Sequence, residues 1–173
     1  MGDAQPSVVD TSFWTVGHRA DVIPYLFDLF VVHVPPAVKA EILAPDPYYP
    51  RRRYGHAELF RLLESRGLLP VAIPSHQESR FGLGEAAALA LARERGWRLL
   101  INDYRPLAYA NQHGIRTMSV ASFILLLYAQ ETISLTSAGR KLELIGNNTS
   151  PQIMDPARRV LARLADRKGE RHQ

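Results

Sequence analysis

Four acidic side chains stand where they could share one task. They are Asp10 in Val-Val-Asp-Thr-Ser, Glu41 in Pro-Pro-Ala-Val-Lys-Ala-Glu, Glu85 in Gly-Leu-Gly-Glu-Ala and Asp103 in Leu-Leu-Ile-Asn-Asp. Clustered carboxylates repel one another and must be neutralised by protons or cations. Their hard oxygens select Mg²⁺ or Mn²⁺ rather than zinc. Such an ion lowers the pKa of a bound water, orients a phosphodiester and stabilises the leaving oxygen, and two ions roughly 3.5–4 Å apart do so symmetrically.

Each acid also has an ordinary reading. Asp10 can bond the turn amides of Thr11 and Ser12, although an Asp beside a Val-Val run in a central strand is costly unless paired or metal-bound. Glu41 can be an exposed helix residue. Glu85 can be a first-turn acid favoured by the helix dipole. Asp103 can cap the helix that follows it. The shared role is favoured by the elements that carry them. In an open parallel sheet, chemistry collects beyond the carboxyl ends of the strands, at the switch in strand order.

Those elements follow from periodicity. Residues 8–13 read as a buried strand, 21–30 as a helical stripe, 31–34 as a strand stopped by Pro35-Pro36, and the stretch from Pro36 through Glu41 to Leu43 as a helix. Residues 56–66 read as a helix, 68–73 as a strand, 84–95 as an Ala/Leu-rich helix closed by Gly96, and 97–102 as a strand. Residues 105–112 (helix), 115–120 (strand) and 122–130 (apolar helix) complete the alternation. It predicts an α/β fold with a mostly parallel sheet covered on both faces. Residues 1–135 form this domain, and 136–173 form a C-terminal extension. The extension has a short strand at 141–145 and a helix over 155–168, capped by Asp155 with Pro156 in its first turn. Arg158, Arg159, Arg163, Arg167 and Lys168 make one face of that helix basic, for solvation or for contact with RNA or a protein.

Composition narrows the function. The 173 residues carry a formal net charge of +4 with no cysteine, which excludes disulfides, thiolate metal sites and cysteine nucleophiles. A pI near 9.6 favours an anionic partner. Nucleic acid is expected over membrane, because the longest apolar run, 123–129, is far short of the roughly 20 residues of a span. With no secretory signal at the start, a cytoplasmic location is expected. Dinucleotide, P-loop and nucleophile-elbow motifs are absent. The histidines at 18, 33, 56, 76, 113 and 172 are scattered, and His56 lies near an arginine run. Arg51, Arg52 and Arg53, in a loop with Tyr48, Tyr49 and Tyr54, could grip an RNA backbone while the tyrosines stack on bases.

The four acidic motifs and their order resemble the PIN-domain nucleases, and most closely the toxin-like branch related to the ribonuclease of VapBC toxin–antitoxin pairs. The segment from Gly114-Ile115 to Val120 and the apolar helix after it resemble the usual close of that domain. The resemblance covers about residues 7–135. It implies a three-layer α/β/α sandwich and Mg²⁺- or Mn²⁺-dependent endoribonuclease activity with one or two ions on Asp10, Glu41, Glu85 and Asp103. It also implies a role for Ser12, the hydroxyl after the first Asp, in bonding a ligand. It further implies a small antitoxin over the acidic cleft and a homodimer. Ile101 stands where many relatives have Thr or Ser. Asn102 stands where others have a second acid, and adds an amide without charge. Two rivals remain: an inactive or weak PIN-like module that binds RNA or protein, and a nuclease of the same chemistry directed at DNA.

Overall fold

A computed structural model describes residues 4–76 and 78–170, with the side chains of 168–170 left out. His172 and the side chain of Lys168 therefore lie outside the described residues. Four strands make an all-parallel sheet: β1 (Gln5–Val9), β2 (Phe30–His33), β3 (Arg98–Leu100) and β4 (Thr117–Met118), in the order β2-β1-β3-β4. β1 is central. Val8 pairs with His33 on one side and Leu99 on the other, and Val9 with Leu100. Val8 and Val9 are wholly buried, as a strand flanked on both edges and covered on both faces requires. The chain leaves β1 toward β2 and later returns on the other side through β3. The order therefore switches beside the carboxyl ends of β1 and β3, which is where an open sheet presents a crevice.

Nine α-helices among the described residues surround the sheet as a three-layer α/β/α sandwich: α1 (Thr11–Arg19), α2 (Ile23–Leu26), α3 (Pro36–Leu43), α4 (Gly55–Ser65), α5 (Leu83–Arg95), α6 (Tyr104–Gln112), α7 (Val120–Ala129), α8 (Leu135–Ile145) and α9 (Pro151–Glu170). α3 packs against α5 and α1, and α7 against α8 and α9. Ala138, Leu142 and Ile145 of α8 and Ile153, Met154 and Ala157 of α9 belong to the same buried cluster as the strands. The segment from 136 onward thus shares its core with the sheet. Trp14 in α1 is fully buried. Its indole Nε1 donates to the His56 carbonyl at 2.9 Å, and its ring meets Phe60 edge-on at 5.3 Å, which fixes α4 to α1.

Five expected elements differ. The strand expected over 8–13 ends at Val9, because Asp10 caps a helix whose Phe13 and Trp14 face the core. The helical stripe over 21–30 contracts to the single turn of α2. Asp21 takes a left-handed φ of 52°, and Pro24 lacks the N–H that a longer helix would use. The strand over 68–73 reduces to one bridge, Val34 to Val71, because Pro70 has no N–H to donate and offers only its carbonyl to Val34. The strand over 141–145 is the end of α8. Its buried positions 138, 142 and 145 follow a helical period, and Ser134 caps it by accepting from Ser137 N. The last helix begins at Pro151 rather than Asp155, so Pro156 lies inside it.

Candidate active site

Asp10 follows the last residue of β1 and is 1% exposed. Its Oδ2 accepts from Ser12 N at 2.9 Å and Ser12 Oγ at 2.5 Å. Its Oδ1 is buried with no hydrogen-bond partner. A buried acceptor without a partner is rare and marks a group awaiting a ligand, a proton or a cation. Burial pushes the Asp10 carboxyl up; the Ser12 hydroxyl and amide pull it back, and the charge on Asp103 adds to the rise.

The same Ser12 Oγ accepts from the amide of Asn102 at 3.0 Å, just beyond β3. Asn102 is 2% exposed, and its whole side chain is committed. Oδ1 accepts from Val120 N at 3.1 Å and Nδ2 donates to Thr149 Oγ1 at 2.9 Å. Asn102 therefore locks the ends of β1 and β3, the start of α7 and the segment before α9 into one block. Its amide suits this because it donates and accepts at once, which a carboxylate cannot do.

Asp103 opens α6, yet its side chain makes no cap bond, so the capping reading fails. It lies against the Glu85 carboxyl instead, close enough to raise it. Glu85, in the first turn of α5, has its carboxyl raised to about 7 by burial first, then by the charge on Asp10, the bond from Asp103 and the charge on Asp103. Two carboxylates within hydrogen-bonding reach need a proton or a cation between them. Asp10, Glu85 and Asp103 thus form one electrostatic group.

Glu41 stands beside this group. Its Oε1 accepts from Gly84 N at 2.8 Å and its Oε2 from Thr11 Oγ1 at 2.6 Å. Thr11 adjoins Asp10 and Gly84 adjoins Glu85. The carboxylate supplies α5 with an acceptor for one of its first free amides, where negative charge is favoured. A Cβ on Gly84 would fall 2.6 Å from the Glu41 carboxyl carbon and 2.7 Å from Oε1, so only glycine permits this approach.

Among the described residues no group of three or more acids or histidines is already arranged around an ion position. The pieces nevertheless fit a cation. The donors are all hard oxygens, one buried oxygen has no partner, and two carboxylates share a bond that positive charge would replace. Glu85 and Asp103 also line a cavity of about 1120 Å³ with Arg80, Phe81, Tyr104 and Arg105. Arg51, Arg52 and Arg53 do not line it. They border a separate cavity of about 510 Å³ with Leu43, Tyr54 and Arg61, which holds none of the four acids. Their loop is ordered by Asp46, which accepts from Tyr48 N at 2.8 Å, Tyr49 N at 2.9 Å and the Tyr54 hydroxyl.

Sequence reasoning missed Thr11, Thr149 and the residues that join Glu85 and Asp103 in the larger cavity, Arg80, Phe81, Tyr104 and Arg105 among them. The paired glycines before Glu85 were the available signal for the Glu41 contact. Thr149 lies 47 positions from Asn102 in a loop without periodicity, and nothing local marks it.

An all-parallel sheet between helical layers, with acids gathered at its switch point, makes this an α/β/α sandwich with an acidic crevice. A family model described as a PIN domain matches residues 7–161. The chain belongs to the PIN-domain family, whose members are generally nucleases and typically bind divalent metals. No curated protein matches it. No helix among the described residues is long and apolar enough to cross a membrane.

Proposed function

We propose that the protein is a metal-dependent endoribonuclease that cleaves RNA phosphodiester bonds by hydrolysis. The observation that carries this reading is the unpartnered, buried Oδ1 of Asp10, with the carboxyls of Glu85 and Asp103 close enough to raise one another's cost of ionisation. Asp10, Glu85 and Asp103 would hold Mg²⁺ or Mn²⁺, as one ion or two. Such an ion supplies positive charge that favours ionisation of a water and stabilises charge on a phosphate and its leaving oxygen. The chain's own residues do the rest. Ser12 fixes one Asp10 oxygen and leaves the other free. Glu41 anchors the start of α5 and thereby the position of Glu85. Asn102 holds Ser12 and the two strand ends in register.

The motif order supports a finer reading. The chain would act in the cytoplasm as the toxin of a toxin–antitoxin pair, as a homodimer, with a small protein covering the acidic cleft. Growth arrest on expression, absent in Asp10→Asn, tests that role. The nuclease reading is tested with a panel of labelled RNAs and matched DNAs in Mn²⁺, Mg²⁺ or EDTA, beside Asp10→Asn. RNA cutting that needs the metal and vanishes in the variant supports it. Equal cutting by Asp10→Asn refutes it. Faster cutting of DNA moves the substrate class. RNA binding without cutting under any metal leaves the PIN-like binding module.

A further inference from the structure

The cavity that Glu85 and Asp103 line is larger than the roughly 300–1,000 Å³ typical of a small-ligand pocket, at about 1120 Å³. Beside the two acids its walls carry the cations Arg80 and Arg105 and the aromatic rings of Phe81, Tyr104 and Tyr109. Arg80 and Arg105 are exposed, and no carboxylate pairs with either among the described residues. Arg80 is held in place: its guanidinium lies 5.1 Å from the Tyr109 ring centre. Tyr109 is also packed by Phe81 edge-on at 5.4 Å and by His113 at 4.0 Å, so its ring is already covered. Tyr104 differs. It is 41% exposed, makes no ring contact among the described residues, and directly follows Asp103. A flat partner on Tyr104 would hold its own backbone next to the Asp103 carboxylate. Ser150 and Gln152, at the start of α9, close the cavity, and the Asn102–Thr149 bond ties that segment to the acids.

We propose that this cavity is the track for single-stranded RNA, with Tyr104 stacking on an unpaired base beside the scissile phosphate while Arg80 and Arg105 hold flanking phosphates. The proposal rests on the reading of the acids as an RNA-cutting centre. It requires an unpaired base, because a base in a duplex has both faces occupied by its neighbours. It also places the nearest cationic contacts on the α5–α6 side rather than on the Arg51–Arg53 loop.

The test is binding of short fluorescein-labelled RNA oligonucleotides of mixed sequence, followed by anisotropy in EDTA so that no cleavage intervenes. Tyr104→Ala should raise Kd roughly 5- to 150-fold, the range for loss of one stacked base. Tyr104→Phe keeps the ring and should bind as wild type, which separates stacking from a folding defect. Arg80→Ala and Arg105→Ala should each flatten the salt dependence by about 0.7 in slope, the value for one single-strand phosphate contact. Duplex RNA should bind more weakly, and the triple Arg51→Ala, Arg52→Ala, Arg53→Ala variant should lose less than Tyr104→Ala. Wild-type affinity in Tyr104→Ala overturns the proposal, as does a larger loss in the triple variant or no RNA binding by the wild-type protein. Cleavage in Mn²⁺ is scored separately. Cutting by wild type with undiminished binding by Tyr104→Ala defeats the track and leaves the nuclease. Loss of binding in Tyr104→Ala without any wild-type cutting defeats the nuclease and leaves the track.

Discussion

Glu85→Gln should stabilise the metal-free protein at alkaline pH and leave it unchanged in acid. Burial and its acidic neighbours raise the Glu85 carboxyl from 4.5 to about 7. The shift of 7 − 4.5, or 2.5, corresponds at full weight to about 3.4 kcal/mol, at 1.36 kcal/mol for each tenfold change. Glu85 is only half-buried, so water screens its repulsion and about 1–1.5 kcal/mol is the reasonable share. The sign follows from linkage. The folded state holds this proton more tightly than the unfolded chain does. Stability associated with Glu85 is therefore complete below 4.5 and is lost as pH rises to about 7. Glutamine does not titrate, and its amide can still donate to Asp103 as the protonated acid does.

Thermal unfolding in EDTA, followed by circular dichroism at about pH 8 and about pH 4.5, reads the effect. A gain of 1–1.5 kcal/mol in a chain of this size is about 3–5 °C in Tm. The variant should melt that much higher at the upper pH and together with wild type at the lower. Mn²⁺ should raise the wild-type Tm more at the upper pH and narrow the gap, because a cation removes the repulsion that glutamine removes. No gain at alkaline pH, or the same gain at both, would refute the placement of Glu85 in a repelling group.

The other substitutions separate support from chemistry. Asp10→Asn should keep the fold, since its amide oxygen can still accept from Ser12, and should cut RNA at less than about a hundredth of the wild-type rate in Mg²⁺, checked by gel assay. Gly84→Ala should push the Glu41 carboxylate off both its donors. The lost bonds outweigh the roughly 0.5–1 kcal/mol that alanine adds to a helix, so a net loss of about 1 kcal/mol is expected by urea unfolding. Asn102→Ala should strand the buried Val120 N–H and Thr149 hydroxyl and cost about 2–4 kcal/mol by urea unfolding, while the backbone N–H that serves Ser12 is kept.

The fold was legible where period and punctuation agreed. The Ala/Leu run before Gly96 gives α5, and Pro35-Pro36 starts α3 on time. It was obscured where one residue type has two uses. Asp10 reads as the tail of a strand, but its cap geometry, with φ −100° and ψ 158°, turns the chain into α1 at once. Gly139 and the turn residues around it hid the helical spacing of α8, and Pro156 suggested a start that Pro151 already provides. The site divides similarly. Asp10, Glu85 and Asp103 stand out in the sequence by their places at strand and helix ends, and the fold brings their carboxyls within electrostatic reach of one another. What Glu41 does was not legible, because its partners depend on how α1, α3 and α5 meet. The arginine loop was conspicuous in sequence, yet charge density alone does not say which cavity a loop borders.

The distribution of donors around the four acids shows which of them the fold satisfies by itself. Thr11 and the Gly84 amide serve Glu41, and Ser12 serves one oxygen of Asp10 with both its groups. These neutral donors are spent on anchoring. Glu85 and Asp103 lie close to each other, and the second oxygen of Asp10 has no hydrogen-bond partner. A chain with 21 Lys and Arg residues could have placed one of them there, and a paired arginine would stabilise all three groups. Lys39 pairs with Glu64, Arg61 with Glu58 and Arg158 with Asp155, and none of these pairs is in the cluster. Leaving those oxygens without protein cations maintains a standing repulsion in the apo fold, and an exchangeable cation can relieve it. On this argument the anchoring acids set the geometry while the unsatisfied ones set the affinity. Glu41→Gln should therefore lower stability with little change in the midpoint of Mn²⁺ titration, whereas Asp103→Asn should move that midpoint to higher Mn²⁺ and, by relieving the repulsion, raise the stability of the metal-free fold.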